Sequence, residues 1–344
     1  MKFPLQVLTK ASSGEWVLDP FCGRGTTLYA ARLLGLPSVG IDTNPIAVAL
    51  AAAKLVSTTP DAVVRRCKQL LDNGFQPSEV PEGGFWDRCF SPTTLRQICT
   101  LREQLVTASS TPITVMLRAL LLGILHGPVR IKAPTYLSNQ MPRSYASKPQ
   151  SAIRYWEANQ MAPPSVDVLD VLDRRARYAL AELPPDSRGE VRCGNSITVT
   201  AKVRHRFSWV ITSPPYYGMR TYVPDQWLRA WFLGGEPVVD YGVRGQLSHS
   251  SEEVFVEELA RVWRASATRC LPGATLVVRF GALPSRARDP ANLLSRSILA
   301  SKARWVIDDI VPAGVPSRGR RQADQMNNGA GKYVEEVDLY ASLQ

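Results

Sequence analysis

Between residues 16 and 42 the chain reads as strand, glycine turn, helix and second strand, and no other stretch restricts the fold as strongly. Trp16-Val-Leu-Asp19 is a short apolar run. Pro20-Phe-Cys-Gly-Arg-Gly25 turns the chain, Thr26 to Leu34 is an apolar stretch stopped by Gly35, and Ser38-Val-Gly-Ile-Asp42 is again strand-like. Two strands joined by a crossover helix lie parallel, so the unit predicts an α/β domain on a parallel sheet. Asn44-Pro45 follows, with Asn suited to an N-cap and Pro to the first helical position, which predicts a helix over Ile46 to Val56.

From residue 58 to residue 189 the periodicity changes. Apolar residues recur at helical spacing in Thr94 to Val106, Thr114 to Leu125 and Val166 to Leu183, which predicts a mainly helical insert. Within it, Gly127 to Pro149 has four prolines and no periodicity, yet is rich in basic, aromatic and amide side chains. An irregular stretch of that length inside a compact domain is usually functional or disordered. Strand patterns return at Glu190 to Cys193, Ser208 to Ile211, Ala274 to Phe280, Trp305 to Ile310 and Val334 to Tyr340. Ser250-Ser251-Glu252-Glu253 reads as the capped start of a helix reaching Cys270 and stopped by Pro272-Gly273. One sheet is therefore expected from residues 1–57 and 190–344, assembled around the insert.

Forty-one Lys and Arg face 30 Asp and Glu, a formal charge of +11 that serves either solubility or attraction to a polyphosphate. The six cysteines form no C-x-x-C pair and the three histidines lie far apart, so reduced thiols and no metal site are expected. Ile113 to Leu125 is too short for a membrane span and is broken by Arg118, and Met1-Lys2-Phe3-Pro4 opens no long apolar leader. These features predict a cytoplasmic protein with no membrane contact, and the resemblance given below implies association with the nucleoid.

Two strings carry chemistry. In Asp19-Pro-Phe-Cys-Gly-Arg-Gly-Thr-Thr27 the glycines permit a tight turn and a close ligand, but no Gly-Lys-Ser/Thr follows, and the third glycine of a dinucleotide fingerprint is replaced by Leu28. An ordinary tight turn would look the same. Asp42, at the end of the second strand, adds a carboxylate placed to accept hydrogen bonds from two ribose hydroxyls. The second string, Val210-Ile-Thr-Ser-Pro-Pro-Tyr-Tyr217, drives an apolar strand into a rigid turn. Its two prolines fix φ and lack N–H groups, which leaves carbonyls as acceptors beside the Ser213 hydroxyl and the Tyr216 ring. That set suits a flat base with an exocyclic amine.

Together the strings resemble motifs I and IV of the S-adenosylmethionine-dependent DNA amino-methyltransferases, the Thr212-Ser-Pro-Pro-Tyr string in the Ser form typical of cytosine-N4 enzymes. The resemblance covers about residues 1–56 and 190–344. It implies a Rossmann-like class I methyltransferase sheet, mostly parallel and of seven strands, with S-adenosyl-L-methionine as methyl donor. It also implies that Asp19, Phe21, Gly23, Gly25 and Thr26 surround the methionine part, that Asp42 holds the ribose, and that Ser213, Pro214, Pro215 and Tyr216 hold the target base. Phe3-Pro4 resembles the end of motif X, which closes over the cofactor. The family's Gly-Asp-Ser appears as Gly194-Asn195-Ser196, which keeps a polar side chain near the adenine and loses the charge. Many Ser-Pro-Pro-Tyr enzymes place motif IV first, whereas here motif I leads. Target recognition then falls most naturally in the insert.

The implied reaction methylates the N4 amine of a cytosine flipped out of double-stranded DNA, as in restriction-modification or another DNA-marking system, the former with a cognate restriction endonuclease as partner. Asn139, Arg143 and Tyr145 in the insert, and Arg318, Arg320 and Arg321 near the C-terminus, are the expected nucleic-acid contacts. No Pro-Cys dipeptide of the carbon-5 cytosine type occurs, and Cys22 is expected only to pack. Alternatives are an adenine-N6 DNA enzyme, a guanine-N2 RNA enzyme or a catalytically silent DNA-binding subunit. The RNA enzymes usually carry an N-terminal RNA-binding domain, and 15 residues precede Trp16.

Overall fold

The computed structural model describes residues 2–128, 135–141, 148–217, 224–241, 247–248, 250–281, 289–314 and 336–344. Among these the strands are β1 (Val17–Asp19), β2 (Ser38–Asp42), β3 (Gly189–Cys193), β4 (Phe207–Thr212), β5 (Cys270–Phe280), β6 (Trp305–Gly314) and β7 (Glu336–Leu343). They form one seven-stranded sheet in the order β3-β2-β1-β4-β5-β7-β6. β7 alone runs antiparallel, against both β5 and β6. This is the Rossmann-like sheet of class I methyltransferases, as expected from the sequence.

The helices are α1 (Lys2–Leu8), α2 (Thr26–Leu33), α3 (Pro45–Ala52), α4 (Pro60–Asp72), α5 (Gly84–Cys89), α6 (Pro92–Thr107), α7 (Pro112–Ile124), α8 (Pro149–Ala158), α9 (Val168–Ala179), α10 (Ser196–Thr200), α11 (Trp227–Phe232), α12 (Glu252–Ala267) and α13 (Pro290–Ala300). Local chemistry starts several of them. Asn44 caps α3 through Ile46 N with Pro45 behind it, and Ser251 caps α12 through Val254 N. The end of α12 differs from expectation. Pro272-Gly273 lies inside β5, where pairing steps from Phe207↔Cys270 to Trp209↔Thr275 and Gly273 adopts a φ of +78°, so the dipeptide makes a bulge and stops no helix.

The chain divides into two compact units. One comprises Met1–Leu55, Pro184–Thr221 and Arg244–Gln344, and contains the sheet. Alternation along its strands sets two faces. Val17, Ile211 and Val277 pack with Val7 and Leu8 of α1 and Ala30 and Ala31 of α2. Leu18, Val210, Leu276 and Val278 pack against Phe255, Leu259 and Trp263 of α12 and Leu294 and Ile298 of α13. β6 lies at the sheet edge, where Pro312 costs no central ladder bond.

The other unit comprises Val56–Leu183 and Tyr222–Val243. Its described residues include α4 to α9, and α6, α7 and α9 fall on the three periodic segments of the sequence. It also takes in α11, a stretch the sequence reading leaves with the sheet. The cause is aromatic packing: Trp227 meets Phe85 edge-on at 4.9 Å between ring centroids, and Trp231 lies 4.6 Å from Trp86. Arg102 donates to the carbonyls of Trp231 and Gly235 and fixes the same segment.

Within the sheet unit, Arg32 of α2 braces the points where the chain leaves and returns. It is 1% exposed, and its guanidinium donates to the carbonyls of Lys54, Pro184 and Pro185, with Asp186 at 3.4 Å. Replacing it by Met removes the donors and orphans carbonyls in a dry site. Arg32→Met should therefore lower unfolding free energy by about 3 kcal/mol in urea titrations. A loss under about 1 kcal/mol would mean that water or side-chain rearrangement satisfies these carbonyls.

Candidate active site

The sheet reverses direction of growth between β1 and β4: β1 leads through α2 to β2 on one side, while β4 and β5 extend the other. Ligands of open α/β sheets bind outside the carboxyl ends of the strands at such a switch point. Asp19 ends β1 and Thr212 ends β4, so both sequence strings arrive there.

Asp19 is 3% exposed. Its Oδ1 accepts from the Thr212 hydroxyl at 2.6 Å and from Phe21 N at 3.1 Å, and Thr27 also donates to the carboxylate. Burial, opposed by these hydrogen bonds and aided by the nearby Asp42 charge, raises its carboxyl from 3.8 to about 6. The glycine turn after it is held from the neighbouring strand. Gly23 N donates to Asp42 Oδ2 at 2.9 Å, and Cys22 N donates to the Ile41 carbonyl. Gly23 adopts a φ of +50°, and a Cβ there would meet nothing within 4 Å, so space lies beside the turn. Gly25 has a φ of +74° and sits where a Cβ would be 2.9 Å from the Ala51 backbone, so its lack of a side chain lets α3 approach. Gly25 starts α2 with no side-chain cap, which directs the N–H groups of the first turn toward the carboxyl edge.

Asp42 is half-buried, and burial raises its carboxyl against the pull of the backbone N–H groups of Asn44, Gly23 and Thr43. Asn44 N donates to Oδ1 at 2.8 Å and Gly23 N to Oδ2 at 2.9 Å, and with about four lone-pair sites the carboxylate keeps acceptor capacity. Asn195 lies beyond β3 on a loop tied down twice: Gly194 N donates to the Asp42 carbonyl, and the Ser196 hydroxyl donates to the Pro20 carbonyl. Its own side chain caps α10 through Ile197 N and is exposed. Thr26 is exposed at the start of α2, and Phe21 is half-buried and edge-on to Trp263. Cys22 packs on Leu28 and Ala51, and burial foremost, with Asp19 and Asp42 adding, pushes its thiol far up.

In the second string Ser213 is exposed, Pro214 is buried and Pro215 is half-buried. The Tyr216 hydroxyl donates to Glu336, the 2%-exposed first residue of β7, and its ring stands edge-on to Phe280 at 5.6 Å. Tyr217 turns inward against Phe255. Phe3 belongs to α1, where the Arg279 guanidinium lies 4.2 Å from its ring centroid while bidentate to Asp338. Asp19, Phe21, Gly23, Gly25, Thr26, Asp42, Asn195 and the Ser213–Tyr216 turn thus gather at the carboxyl ends of β1 to β4.

The expected nucleic-acid residues fare differently. Arg143, Tyr145, Arg318, Arg320 and Arg321 lie outside the described residues. Asn139 is a correction: it is 2% exposed, its amide donates to the Arg88 carbonyl, and its Oδ1 accepts from Gln140 N. A buried amide so engaged braces a loop and is not presented at the surface, against the expectation of an exposed contact. Trp156 nearby is likewise core, its indole N–H donating to the Gln140 carbonyl. Sequence reasoning missed Thr212 and Glu336 as site-building residues. A Thr ending an apolar strand beside an Asp-terminated neighbour was a usable signal, whereas nothing local marked Glu336.

Residues 5–53 match the N6/N4 methyltransferase family model, described as DNA methylase. Over 35 residues the chain is 54% identical to the type II methyltransferase M.BsoBI of Geobacillus stearothermophilus, a stretch that is 10% of this chain and 7% of that protein. Similar solved structures include a SAM-dependent methyltransferase of Methanosarcina mazei (11% identity, TM-score 0.37, 98% of this chain and 96% of that one). An rRNA methylase of Streptococcus thermophilus (7%, 0.38, 99% and 95%) and TehB of Haemophilus influenzae (8%, 0.38, 100% and 62%) are others. The fold class rests on the strand order, not on these scores. S-adenosylmethionine is the cofactor of this fold class, and the residues present fit it: uncapped N–H groups for a carboxylate, acceptor capacity at Asp42 for ribose hydroxyls, and open space beside Gly23. Among the described residues no helix is long and apolar enough to cross a membrane, and no three His, Cys, Asp or Glu cluster as metal ligands.

Two outcomes follow from this geometry. Because Asp19 titrates near 6 when folded and near 3.8 when unfolded, its contribution to stability is full below pH 4 and is lost as pH rises to 6. The loss amounts to about 3 kcal/mol. Asp19→Asn should gain about that much on wild type between pH 4 and pH 7 in denaturant titrations. Parallel pH curves would show that Asp19 titrates normally. Asn139→Ala should cost about 1 to 2 kcal/mol of stability. A variant that keeps full stability but loses DNA sequence preference would restore Asn139 as a reader.

Proposed function

We propose that this chain is an S-adenosylmethionine-dependent DNA methyltransferase that modifies an exocyclic amine, namely N4 of cytosine. The observation that carries this reading is the convergence of the glycine turn with Asp42 and of the Thr212–Tyr216 string at one switch point, joined by the Asp19–Thr212 hydrogen bond. The match of residues 5–53 to DNA methylases supports the reading, although the chain spans less than a tenth of the curated relative it resembles.

A cytosine amine is a poor nucleophile because its lone pair is delocalised into the ring. Ser213, exposed at the mouth of the turn, accepts one amine proton, and a carbonyl of the rigid proline pair accepts the other. Both bonds favour a pyramidal nitrogen whose lone pair is directed at the donor. The cofactor supplies an electrophilic methyl group, and the protein's share of the acceleration is alignment. Tyr216, anchored through its hydroxyl to Glu336, offers a ring for the base to stack on. Flipping the base out of the duplex costs a few kcal/mol, which phosphate contacts offset. A role in restriction-modification, with a cognate endonuclease, belongs to the same proposal, as does target recognition by the irregular part of the helical unit.

Base-resolved sequencing that separates N4-methylcytosine from N6-methyladenine, on DNA from cells expressing the protein, tests the reading. N4-methylcytosine at a fixed site is expected. N6-methyladenine would move the enzyme to the adenine branch, and unmodified DNA together with methylated RNA would overturn the DNA substrate. Asp42→Ala should weaken S-adenosylmethionine binding in calorimetry by about 1.5 to 3 kcal/mol. Tyr216→Ala should lose about 1 to 3 kcal/mol of base stacking, with partial rescue on a target mismatched at the cytosine, whereas Tyr216→Phe keeps the ring and tests only the tie to Glu336. Equal losses for Tyr216→Ala on matched and mismatched DNA would reduce Tyr216 to a structural role.

A further inference from the structure

The proposed chemistry occupies the carboxyl edge of the sheet and leaves the opposite edge unexplained. At that amino edge the segments entering β3, β4, β5 and β6 carry a dense set of cations. Arg188 precedes β3, Lys202, Arg204 and Arg206 precede β4, and Lys302 and Arg304 precede β6, all six of them exposed. Arg269, half-buried before β5, joins the set, and Asp186 is the one carboxylate in the same segments. Among the described residues none of these cations forms an ion pair with a carboxylate. Arg206 and Arg269 instead donate to the carbonyls of Thr268 and Ala201, which orients their guanidiniums and leaves their charge uncompensated. Arg188 sits over the Trp16 ring, which stacks on His205 at 3.5 Å, so the edge also has a rigid aromatic step.

The strand order sets how far apart these segments begin. From β3 to β6 the sheet order takes six inter-strand steps, about 29 Å at about 4.8 Å each. A duplex has about the same length over eight or nine base pairs, with a phosphate every ~3.4 Å on each strand. Glu15, ahead of β1 at the same edge, accepts from the Trp209 indole N–H and from Ser12 N, so Glu15 and Asp186 offset part of the charge. A row of that length, in which cations still outnumber carboxylates, matches an extended polyanion better than a compact acidic patch. We propose that the amino edge of the sheet is a second, sequence-independent binding surface for the phosphate backbone of duplex DNA. The six residues of β4 span about 20 Å, so the row lies well beyond the ~8 Å screening length from Ser213 and engages a DNA segment other than the one at the target base. The choice of DNA as the polyanion rests on the function proposed above.

The test uses the full chain and a 30-base-pair duplex whose affinity is measured across a salt series. Lys202→Gln, Arg204→Gln and Arg304→Gln are combined, since their side chains hold no described partner and lie away from the candidate active site. Each phosphate contact removed lowers the slope of log affinity against log salt by about one unit, so a fall of two to three units is expected. Lys202→Arg with Arg204→Lys and Arg304→Lys should keep the parent slope. Cofactor affinity, read by calorimetry, should be unchanged in both, which verifies folding. A parent slope retained by the Gln variant overturns the inference, including the case in which the edge serves an acidic protein. If the parent methylates DNA while the slope does not respond, only this inference fails. If the parent neither binds nor methylates DNA, the functional reading fails with it.

Discussion

The hydrogen bond from Thr212 to the buried Asp19 carboxylate is the constraint on which the candidate site depends. It joins the ends of two strands that are neighbours in the sheet but 193 residues apart in sequence. Through it the glycine turn after β1 and the proline turn after β4 keep one relative position. The carboxylate is held in a dry place, and that burial raises its pKa and sets its charge against stability at neutral pH. Local stability given up at a site that positions other groups is a common pattern of functional centres.

Around that bond, three of the four strand ends are tied to one another by backbone and hydroxyl groups rather than by ion pairs. Asp42 receives Gly23 N, its carbonyl receives Gly194 N, and Ser196 returns to the Pro20 carbonyl. Such a ring defines positions without filling the space between the loops, which leaves Ser213 and Asn195 exposed. Tyr216 is held separately, by Glu336 from the antiparallel strand β7. The Ser213–Tyr216 turn, proposed to hold the base, is therefore fixed by β7 as well as by β4.

The points at which the chain leaves and re-enters the sheet-bearing unit are braced. Arg32 gathers the carbonyls on both sides of the excursion, at Lys54 and at Pro184–Pro185. The second unit closes on its own aromatic core of Phe85, Trp86, Trp156, Trp227 and Trp231. Its sheet-bearing counterpart keeps a basic amino edge remote from the chemistry. Seven Lys and Arg of the basic surplus stand along that edge, against the carboxylates of Asp186 and Glu15.

Strand identity was readable from the chain alone for the apolar runs of β1, β2, β4 and β5, and the helix caps at Asn44 and Ser251 were equally plain. The glycine turn, Asp42 and the Ser-Pro-Pro-Tyr turn were also legible, because their chemistry lies in contiguous residues. What the sequence left open are matters of packing between distant segments. Asn139 looked like an exposed reader and is a buried brace, because the carbonyl of Arg88 claims its amide. Pro272-Gly273 looked like a helix stop and is a strand bulge, because β4 pairs on both sides of it. Residues 227–232 joined the helical unit because Phe85 and Trp86, far away in sequence, offered a better aromatic neighbourhood. Local propensity and motif spacing decide which elements form, since they depend on a few adjacent residues. The partners of Asp19, Tyr216 and Asn139 depend on which strand or loop lies alongside, and that is settled only when the chain closes on itself.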